Sequence, residues 1–354
     1  MRKIFGLVSL VMLVMVFAFA GCAQAEPAAP VPAAPDASAV PPEPAPVDEP
    51  ADPAQPADEQ PEGGLLIAYS QMDTDTMWRI MQIENLREAV ESRGHRFIYT
   101  NADNDTARQI SDIEDLIAMR PDYLLISPRE YEALGISLQS ARDAGIPVIL
   151  VDRAAAGEPG LDFLAVTHAD FIWEGQQSAL VLAEYFDGRE ANIVQLTGTP
   201  GSSVAVERQQ GFEDELANHP NLRIIATQVG DFSRAVAQTT MENLLLAHGN
   251  DIDAVYGHSD EEGLGAILAI RAFGLVPGED IVIVSINGFY DSLRAILDGS
   301  KLATVECSPF FGEIVMDIIE RHQRGEQVPD FVVNPGRVYD ITNAQYYIDA
   351  GHGF

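Results

Sequence analysis

Short apolar runs that alternate with helical segments are the feature that most restricts the fold of this chain. The clearest run is residues 147–151, which follow a Gly-Pro turn and end at Asp152 and Arg153. Four to six apolar residues between turn signals are typical of a strand buried on both faces, as in a parallel sheet. Similar runs separated by helical segments recur from Leu65 onward. The alternation predicts βαβ units around parallel sheets, and therefore an α/β fold.

The alternation runs through the chain twice, which predicts two similar lobes. The first series has strands at 65–70, 97–100, 123–127 and 147–151, with helices near 76–93, 106–119 and 131–144. A bridging segment, 161–168, leads to the second series. Its strands lie at 191–196, 222–229, 254–257 and 281–286, and its helices near 171–186, 204–217, 234–248, 261–273 and after Phe289. The remaining segments, 302–307, 310–324 and 331–342, are expected to cross back between the lobes.

Polar side chains follow three of the predicted strands at their carboxyl ends. These are Asp152 with Arg153, Ser259 with Asp260, and Asn287. In open α/β sheets, ligands bind outside the carboxyl ends of the strands, so a binding site is expected here. The alternatives are a structural ion pair at residues 152–153 and helix capping by Asp260, and capping does not exclude a ligand role.

Two aromatic and two basic residues lie at the edges of other predicted elements. Arg208 falls on the first turn of a helix, where the helix dipole disfavours a cation, and Trp78, Arg79 and Phe232 lie near helix or strand ends. Sugar sites combine flat apolar faces with charged, planar hydrogen-bonding groups. These residues and the polar strand ends have that composition. The alternatives are aromatic core residues and an arginine that reaches a surface carboxylate.

Several other kinds of site are disfavoured. The net charge of −33 argues against nucleic acid, because phosphate binding relies on clustered lysine and arginine. Seven scattered histidines show no metal-ligand spacing, and no cofactor motif is complete. Ser259 lies in a context similar to the Gly-x-Ser-x-Gly nucleophile elbow, but Glu261 replaces the second glycine. An esterase that uses Ser259 therefore remains only as an enzymatic alternative.

The amino terminus has the layout of a secretory signal peptide, residues 1–21. Arg2 and Lys3 precede an apolar run, 4–20, which is shorter than most membrane spans. Residues 19–22, FAGC, resemble the bacterial lipobox, which would make Cys22 a lipidated first residue. Residues 22–64 are rich in alanine, proline and acidic residues and predict a disordered linker. Cys307 is then expected to be a free thiol.

From about Leu65 to its end, the chain resembles the periplasmic sugar-binding proteins of ABC transporters. It is similar to the ribose/galactose type, and most closely to the galactofuranose-binding proteins. The landmarks, in order, are SQ…MWR (70–79), IPVILVDR, VAVERQQGF, GDFSR (230–234), VYGHSDE, VPGEDI and ATVECSP (303–309). The resemblance implies the type I periplasmic binding protein fold, two Rossmann-like lobes joined by a three-segment hinge. The expected lobes are 65–167 with 308–335, and 168–307 with 336–354.

The resemblance also implies a set of ligand-binding residues. They are Trp78, Arg79, Asp152, Arg153, Arg208, Phe232, Ser259, Asp260, Asn287 and Glu306. Ser259 stands where relatives commonly carry Asn, and Asn287 stands where they commonly carry Asp. Discrimination between sugars depends on leaving no buried polar group unpaired, so these departures leave the particular sugar open.

The expected function is capture of a monosaccharide, with galactofuranose or a related sugar as the candidate, for an ABC importer. The expected protein is monomeric, held in the cell envelope by its lipid anchor, and has an ABC permease as its partner, with neither cofactor nor nucleic acid. A receptor that presents the sugar to a membrane signalling protein is the alternative. A transcriptional repressor core shares the fold, but no helix-turn-helix precedes Leu65 and the leader is secretory.

Overall fold

The computed structural model describes residues 63–351 and 353, and every element described below falls within the compact unit Glu59–Phe354. The predicted signal peptide, Cys22 and the linker up to residue 62 lie outside the described residues. Among the described helices, none is long and apolar enough to span a bilayer.

The first sheet contains six parallel strands in the order β11-β5-β4-β3-β1-β2. Its strands are β1 (Leu66–Gln71), β2 (Arg96–Asn101), β3 (Tyr123–Ile126), β4 (Val148–Val151), β5 (Ala165–His168) and β11 (Phe331–Val333). Every residue of β3, β4 and β5 is buried, as expected for strands covered by helices on both faces. The helices of this lobe are α1 (Met77–Glu91), α2 (Thr106–Ala118), α3 (Gly135–Asp143) and α9 (Gly312–Gln323).

The second sheet also has six strands, in the order β12-β10-β9-β8-β6-β7, with β12 alone antiparallel to its neighbour. Its strands are β6 (Ala191–Thr197), β7 (Leu222–Val229), β8 (Ala254–Gly257), β9 (Val282–Asn287), β10 (Ala303–Glu306) and β12 (Val338–Asp340). The helices are α4 (Phe171–Phe186), α5 (Ser203–Leu216), α6 (Arg234–His248), α7 (Asp260–Phe273), α8 (Tyr290–Leu297) and α10 (Ala344–Asp349), and a 3-10 turn, Gly249–Asp251, follows α6.

Side-chain caps fix where the helices begin at the carboxyl edges of the sheets. Thr76, Ser202 and Ser233 precede α1, α5 and α6, and each side-chain oxygen accepts a hydrogen bond from a backbone N–H of the first turn. Capping by serine or threonine contributes roughly 1 kcal/mol per helix. The first turns of these helices therefore lie beside the strand ends, where a ligand would be bound.

Within residues 63–351, the chain passes between the two sheets three times. It does so between β5 and α4, between β10 and α9, and between β11 and β12. Helix α4 packs against α5 and β10 in the second lobe, whereas α9 packs against α1 and β5 in the first. This is the three-segment connection that the type I fold requires.

Two details of the sequence prediction were wrong. Residues 161–168 are not only a bridging segment, because their last four form β5, which pairs with β4 and β11. Such a short strand, buried between two neighbours, shows no alternating pattern. The helix expected to begin near Tyr131 begins at Gly135. The Tyr131 amide instead donates to the carbonyl of Gly201 in the second lobe at 3.1 Å, and its carbonyl accepts from the amide of Ala156 at 2.7 Å.

Two glycines allow α4 and α5 to pack in unusually close contact. A Cβ on Gly175 would lie 2.3 Å from the carbonyl oxygen of Arg208, and one on Gly211 would lie 2.1 Å from that of Ile172. Both distances are well below a van der Waals contact, so a side chain at either position would force the helices apart. This close approach brings Glu174 on α4 to Arg208 on α5.

Candidate functional site

A cleft of about 470 Å³ lies between the carboxyl ends of the two sheets. Its size falls within the roughly 300–1,000 Å³ that is usual for small-molecule sites. Eight of the ten predicted ligand-binding residues line it, namely Trp78, Arg79, Asp152, Arg153, Arg208, Phe232, Ser259 and Asn287. The first four belong to the first lobe and the others to the second. The strand ends of both halves therefore meet at one cavity.

The first turn of α1 supplies an indole and a guanidinium to the first-lobe wall. The indole N–H of Trp78 donates to the carbonyl of Cys307 at 2.7 Å, which fixes the ring. The Arg79 guanidinium lies over that ring, 4.6 Å from its centroid, and Nη1 donates to Oδ2 of Asp152 at 2.6 Å. Both side chains are almost fully buried, so the aromatic face and the ion pair are held in fixed positions.

The end of β4 brings Asp152 and Arg153 to the cleft. Asp152 adopts a left-handed backbone with φ of 68°, a conformation that is uncommon for non-glycine residues and that aspartate tolerates better than most. Nη1 of Arg153 donates to the carbonyl of Arg129 at 2.9 Å, whereas Nε has no hydrogen-bond partner among the described residues and lies 3.8 Å from Oδ2 of Asp152. Burial, together with the nearby positive charge of Arg79, lowers the pKa of Arg153 to about 9. The Arg153 guanidinium is therefore incompletely paired by the protein.

Arg208 in the second lobe is held by a buried carboxyl group and a carbonyl. Nε lies 2.8 Å from Oε2 of Glu174, and Nη1 donates to the carbonyl of His258 at 2.6 Å. Burial raises the pKa of Glu174 to about 7, although Arg208 opposes that shift. The sequence placed Arg208 on the first turn of its helix with a surface carboxylate as the alternative partner. The expected position was wrong, since Arg208 lies on the second turn of α5. The alternative of a surface carboxylate does not hold either, because the partner, Glu174, is 1% exposed.

Phe232 presents its ring between the two lobes. Its backbone is left-handed with φ of 53°, and its amide donates to Oε1 of Glu262 at 3.1 Å. A Cβ on Gly198 would lie 1.9 Å from the ring, so only glycine leaves room for it. The guanidinium carbons of Arg153 and Arg208, from opposite lobes, lie 5.5 and 6.0 Å from the ring centroid.

Ser259 and Asn287 complete the second-lobe wall at the ends of β8 and β9. The Ser259 amide donates to Oε2 of Glu262 at 2.6 Å, which is one half of a capping box at the start of α7. Asn287 has φ of 143°, and its Oδ1 is buried without a partner among the described residues. A polar atom buried in this way costs free energy unless something else bonds to it.

Asp260 does not line the cleft, contrary to the role that the resemblance implies. It is fully buried, and Oδ1 lies 2.6 Å from Nζ of Lys301. Its Oδ2 accepts from the amides of Gly288 and Phe289, at 2.8 Å each. Although burial opposes the shift, Lys301 and the hydrogen bonds to Asp260 lower its pKa. The carboxylate is fully used by the protein and has no capacity left for a ligand.

Glu306 also lies off the cleft lining. Its Oε2 accepts from Nε of Arg337 at 2.7 Å, and its amide donates to the carbonyl of the same residue at 2.7 Å. These contacts connect the end of β10 to the segment before β12. Glu306 therefore supports the crossing between the lobes and does not face the cavity.

Sequence reasoning missed three buried charged residues behind the second-lobe wall, Glu174, Glu262 and Lys301. Two carried a recognisable signal. Glu262 stands three residues after Ser259, which is the spacing of a capping box, and Lys301 is one of only two lysines in the chain. Glu174 carried none, because only the close packing of α4 on α5 pairs it with Arg208.

A serine nucleophile needs a base beside it, and the histidine next to Ser259 in sequence, His258, does not serve as one. Instead, Nε2 of His258 lies 2.8 Å from Nε2 of Gln195, a residue of the neighbouring strand β6. Burial, with the charge of Arg208, lowers the pKa of His258 well below its ordinary value. The arrangement does not correspond to a base that activates Ser259.

Two α/β lobes, three crossings and a cleft lined from both sides by polar and aromatic groups define a solute-binding protein. The chain belongs to the periplasmic binding protein family, since the sequence profile of the periplasmic binding protein domain matches residues 67–327. The galactofuranose-binding protein YtfQ of Escherichia coli (strain K12) is 32% identical over 268 residues, which are 75% of this chain and 84% of that protein. The expected family and type I fold are thereby confirmed, and the chain is a binding protein rather than an esterase.

Two solved structures are similar along most of their length. The periplasmic binding protein component of the arabinose ABC transporter from Shewanella sp. ANA-3, with bound α- and β-L-arabinofuranose, superposes with a TM-score of 0.78 at 32% identity, covering 80% of this chain and 95% of that one. The fructose-binding periplasmic domain of the hybrid two-component system BT1754 superposes with a TM-score of 0.75 at 28% identity, covering 81% and 94%.

Proposed function

We propose that this protein captures a neutral monosaccharide in the interlobe cleft and delivers it to an ABC importer. The observation that carries the proposal is a pair of incompletely bonded groups on opposite lobes. Arg153 and Asn287 both line the cleft, and neither Nε of Arg153, a donor, nor Oδ1 of Asn287, an acceptor, has a hydrogen-bond partner among the described residues. A sugar hydroxyl both donates and accepts, so one small polyol can bond to both walls.

The charge distribution of the cleft favours an uncharged ligand. The guanidinium of Arg79 is paired with Asp152 and also lies 3.9 Å from Asp73. Nε of Arg153 lies 3.8 Å from Asp152, and Arg208 is paired with Glu174. Charged groups that are already paired offer hydrogen bonds without requiring a counter-charge from the ligand. The rings of Trp78 and Phe232 supply apolar faces for the C–H groups of the sugar.

A furanose is the proposed ring form. The relatives named for galactofuranose and arabinofuranose support this choice, and their similarity covers 75% and 80% of this chain. Ser259 and Asn287 are the positions at which we expect selectivity among furanoses to be set, because both line the second-lobe wall.

Calorimetric titration of the purified protein against pentoses, hexoses and polyols tests the proposal. We expect saturable binding with one site and a dissociation constant in the micromolar range or below for at least one sugar. Charge-assisted hydrogen bonds of about 1.5–3 kcal/mol each make that affinity attainable. The absence of saturable binding to every sugar and polyol in the panel would contradict it.

Attachment through a lipid on Cys22, after removal of residues 1–21, is part of the proposal. The basic start, the apolar run and the FAGC sequence support it. Residues 22–64 would then act as a tether between the membrane surface and the lobes. Metabolic labelling with a radioactive fatty acid should mark the wild type and not the Cys22→Ser variant; equal labelling would contradict the anchor.

A sensor that presents the sugar to a signalling protein is the second candidate function. The similarity to a periplasmic domain of a hybrid two-component system favours keeping it. Cells that lack this protein distinguish the two roles. Loss of uptake of the labelled sugar supports import, whereas normal uptake with a lost transcriptional response to the sugar supports sensing.

A further inference from the structure

The first turn of α7 carries three consecutive acidic residues, 260–262, and two of them are completely buried. Asp260 and Glu262 are both 0% exposed. A helix start needs an acceptor at its cap and gains from nearby negative charge, but neither need requires a buried carboxyl group. The burial of two such groups in one turn indicates another role.

Asp260 is connected to the loop that follows Asn287. Its Oδ2 accepts from the amides of Gly288 and Phe289 at 2.8 Å, and these two residues join β9 to α8. Its Oδ1 accepts hydrogen bonds from three side chains: Lys301 at 2.6 Å, Thr304 at 2.6 Å and Ser285 at 2.5 Å.

The remaining contacts of Lys301 hold this cluster together. Its ammonium group also contacts the hydroxyls of Ser285 on β9 and Ser292 on α8. Lys301 itself precedes β10, so the cluster connects α7, β9, α8 and β10 behind the wall of the cleft. The space around it is tight, since a Cβ on Gly263 would lie 2.7 Å from the Ser285 hydroxyl.

Glu262 holds the other two loops of the same wall. Its Oε1 accepts from the amide of Phe232 at 3.1 Å, and its Oε2 accepts from the amide of Ser259 at 2.6 Å. Phe232 has a left-handed backbone, which costs free energy unless the surroundings enforce it. A Cβ on Gly230 would lie 2.7 Å from Glu262, so that loop passes directly over the carboxyl group.

We propose that Asp260 and Glu262 are positioning residues that set ligand affinity without touching the ligand. Asp260 fixes the backbone at residues 288 and 289 and thereby the orientation of Asn287, while Glu262 fixes Phe232 and Ser259. One helical turn thus positions three contact residues that lie on three different loops. This inference rests on the proposed function, because the affinity concerned is that for the sugar.

Amide hydrogen exchange of the sugar-free protein tests the positioning directly. In Asp260→Asn, peptides spanning residues 285–290 should exchange at least tenfold faster than in the wild type, and in Glu262→Gln the same should hold for peptides spanning 230–234. Asp162→Asn is the control: like Asp260, Asp162 accepts from a cationic side chain, here Arg142, and from a backbone amide, but it lies off the cleft lining. In this control variant, the peptides spanning residues 285–290 and 230–234 should exchange at the wild-type rate.

Titration with a sugar that binds the wild type adds the affinity readout. We expect Asp260→Asn to weaken binding at least tenfold and Asp162→Asn to leave it within twofold. In an Asn287→Ala background, Asp260→Asn should cause little further loss, because the residue it positions is gone. Leu116→Ala, in the core of the first lobe, controls for lost stability alone and should keep wild-type affinity.

The outcomes separate this inference from the function on which it rests. Wild-type exchange in both cleft peptides of the variants, or affinity losses that add fully in the double variant, would overturn the positioning role. If Asp260→Asn does not fold, Thr304→Val replaces it, because this variant removes one hydrogen bond to the Asp260 carboxylate. Thr304→Val should raise the exchange rate of peptides spanning 285–290 by a smaller factor, and an unchanged rate would count against the positioning role. If no sugar binds the wild type, the proposed function fails, while the exchange measurements still decide the positioning.

Discussion

Replacing Gly198 with alanine should displace the aromatic ring of the second-lobe wall. The added Cβ would lie 1.9 Å from Cζ of Phe232 and 2.3 Å from each of its Cε atoms. Carbon atoms in contact are separated by about 3.5–4.0 Å, so the ring must move by roughly 2 Å. The Phe232 backbone is held by Glu262, and two guanidinium groups lie near its ring. The ring is therefore expected to move into the cleft.

We expect Gly198→Ala to weaken sugar binding by roughly 10- to 100-fold, which corresponds to about 1.4–2.8 kcal/mol. Calorimetric titration measures the loss, and thermal unfolding reports whether the fold is retained. Gly135→Ala is the matched control, because nothing lies within 4 Å of a Cβ at that position and Gly135 lies on α3, off the cleft lining. It should leave the affinity unchanged.

Combining the substitution with the removal of the ring identifies the mechanism. Phe232→Ala should weaken binding by itself, and adding Gly198→Ala should then have little further effect, because the clashing ring is absent. Wild-type affinity in Gly198→Ala, or a full additional loss in the double variant, would show that the substitution does not act by displacing the Phe232 ring.

Two buried carboxyl groups give the remaining predictions. At pH 8, above the pKa of Glu174 of about 7, Glu174→Gln leaves the Arg208 guanidinium buried without a counter-charge and should lower the free energy of unfolding by about 3–5 kcal/mol in denaturant titrations. Burial raises the pKa of Glu262 from 4.5 to about 8, so the folded protein holds this proton after the unfolded chain has lost it. Stability from this group is thus present below pH 4.5 and is lost as the pH rises toward 8. The difference in unfolding free energy between the wild type and Glu262→Gln should therefore fall by up to about 4 kcal/mol from pH 5 to pH 8.

The first of these two predictions has a control variant in the same chain, and the second has a clear contrary outcome. Glu84→Gln breaks an exposed pair with Arg87 and should cost at most about 1 kcal/mol, so an equal loss in Glu174→Gln would contradict the importance of burial. For the pH dependence, a stability difference that stays constant or rises between pH 5 and pH 8 would show that the carboxyl of Glu262 is ionised in the folded protein at pH 5.

Much of the architecture could be predicted because it depends on local sequence. Buried strands such as β4 are continuous apolar runs, and helices such as α1 begin at capping residues, so element order and the lobes follow from patterns along the chain. β5 was missed because a prediction from local sequence requires a pattern within the strand itself. Its four residues have no pattern of their own and form a strand only between β4 and β11.

The cleft could be predicted only in part. Asp152 and Asn287 stand directly at strand ends, so the topology alone brings them to the cavity. The role of Asp260 could not be read in this way. It stands beside Ser259 at the same strand end, but its side chain turns to Lys301, 41 residues further along the chain. The Arg208–Glu174 pair depends on two glycines that let α4 and α5 approach closely. Such pairings arise from packing between helices and leave no spacing signal in the sequence.

A crystal structure of the protein with the sugar identified by titration would show whether both lobes bind the ligand. We expect one monosaccharide in the interlobe cleft, hydrogen-bonded to Nε of Arg153 from the first lobe and to Oδ1 of Asn287 from the second. A sugar bound outside the cleft, or held by the groups of one lobe alone, would contradict it.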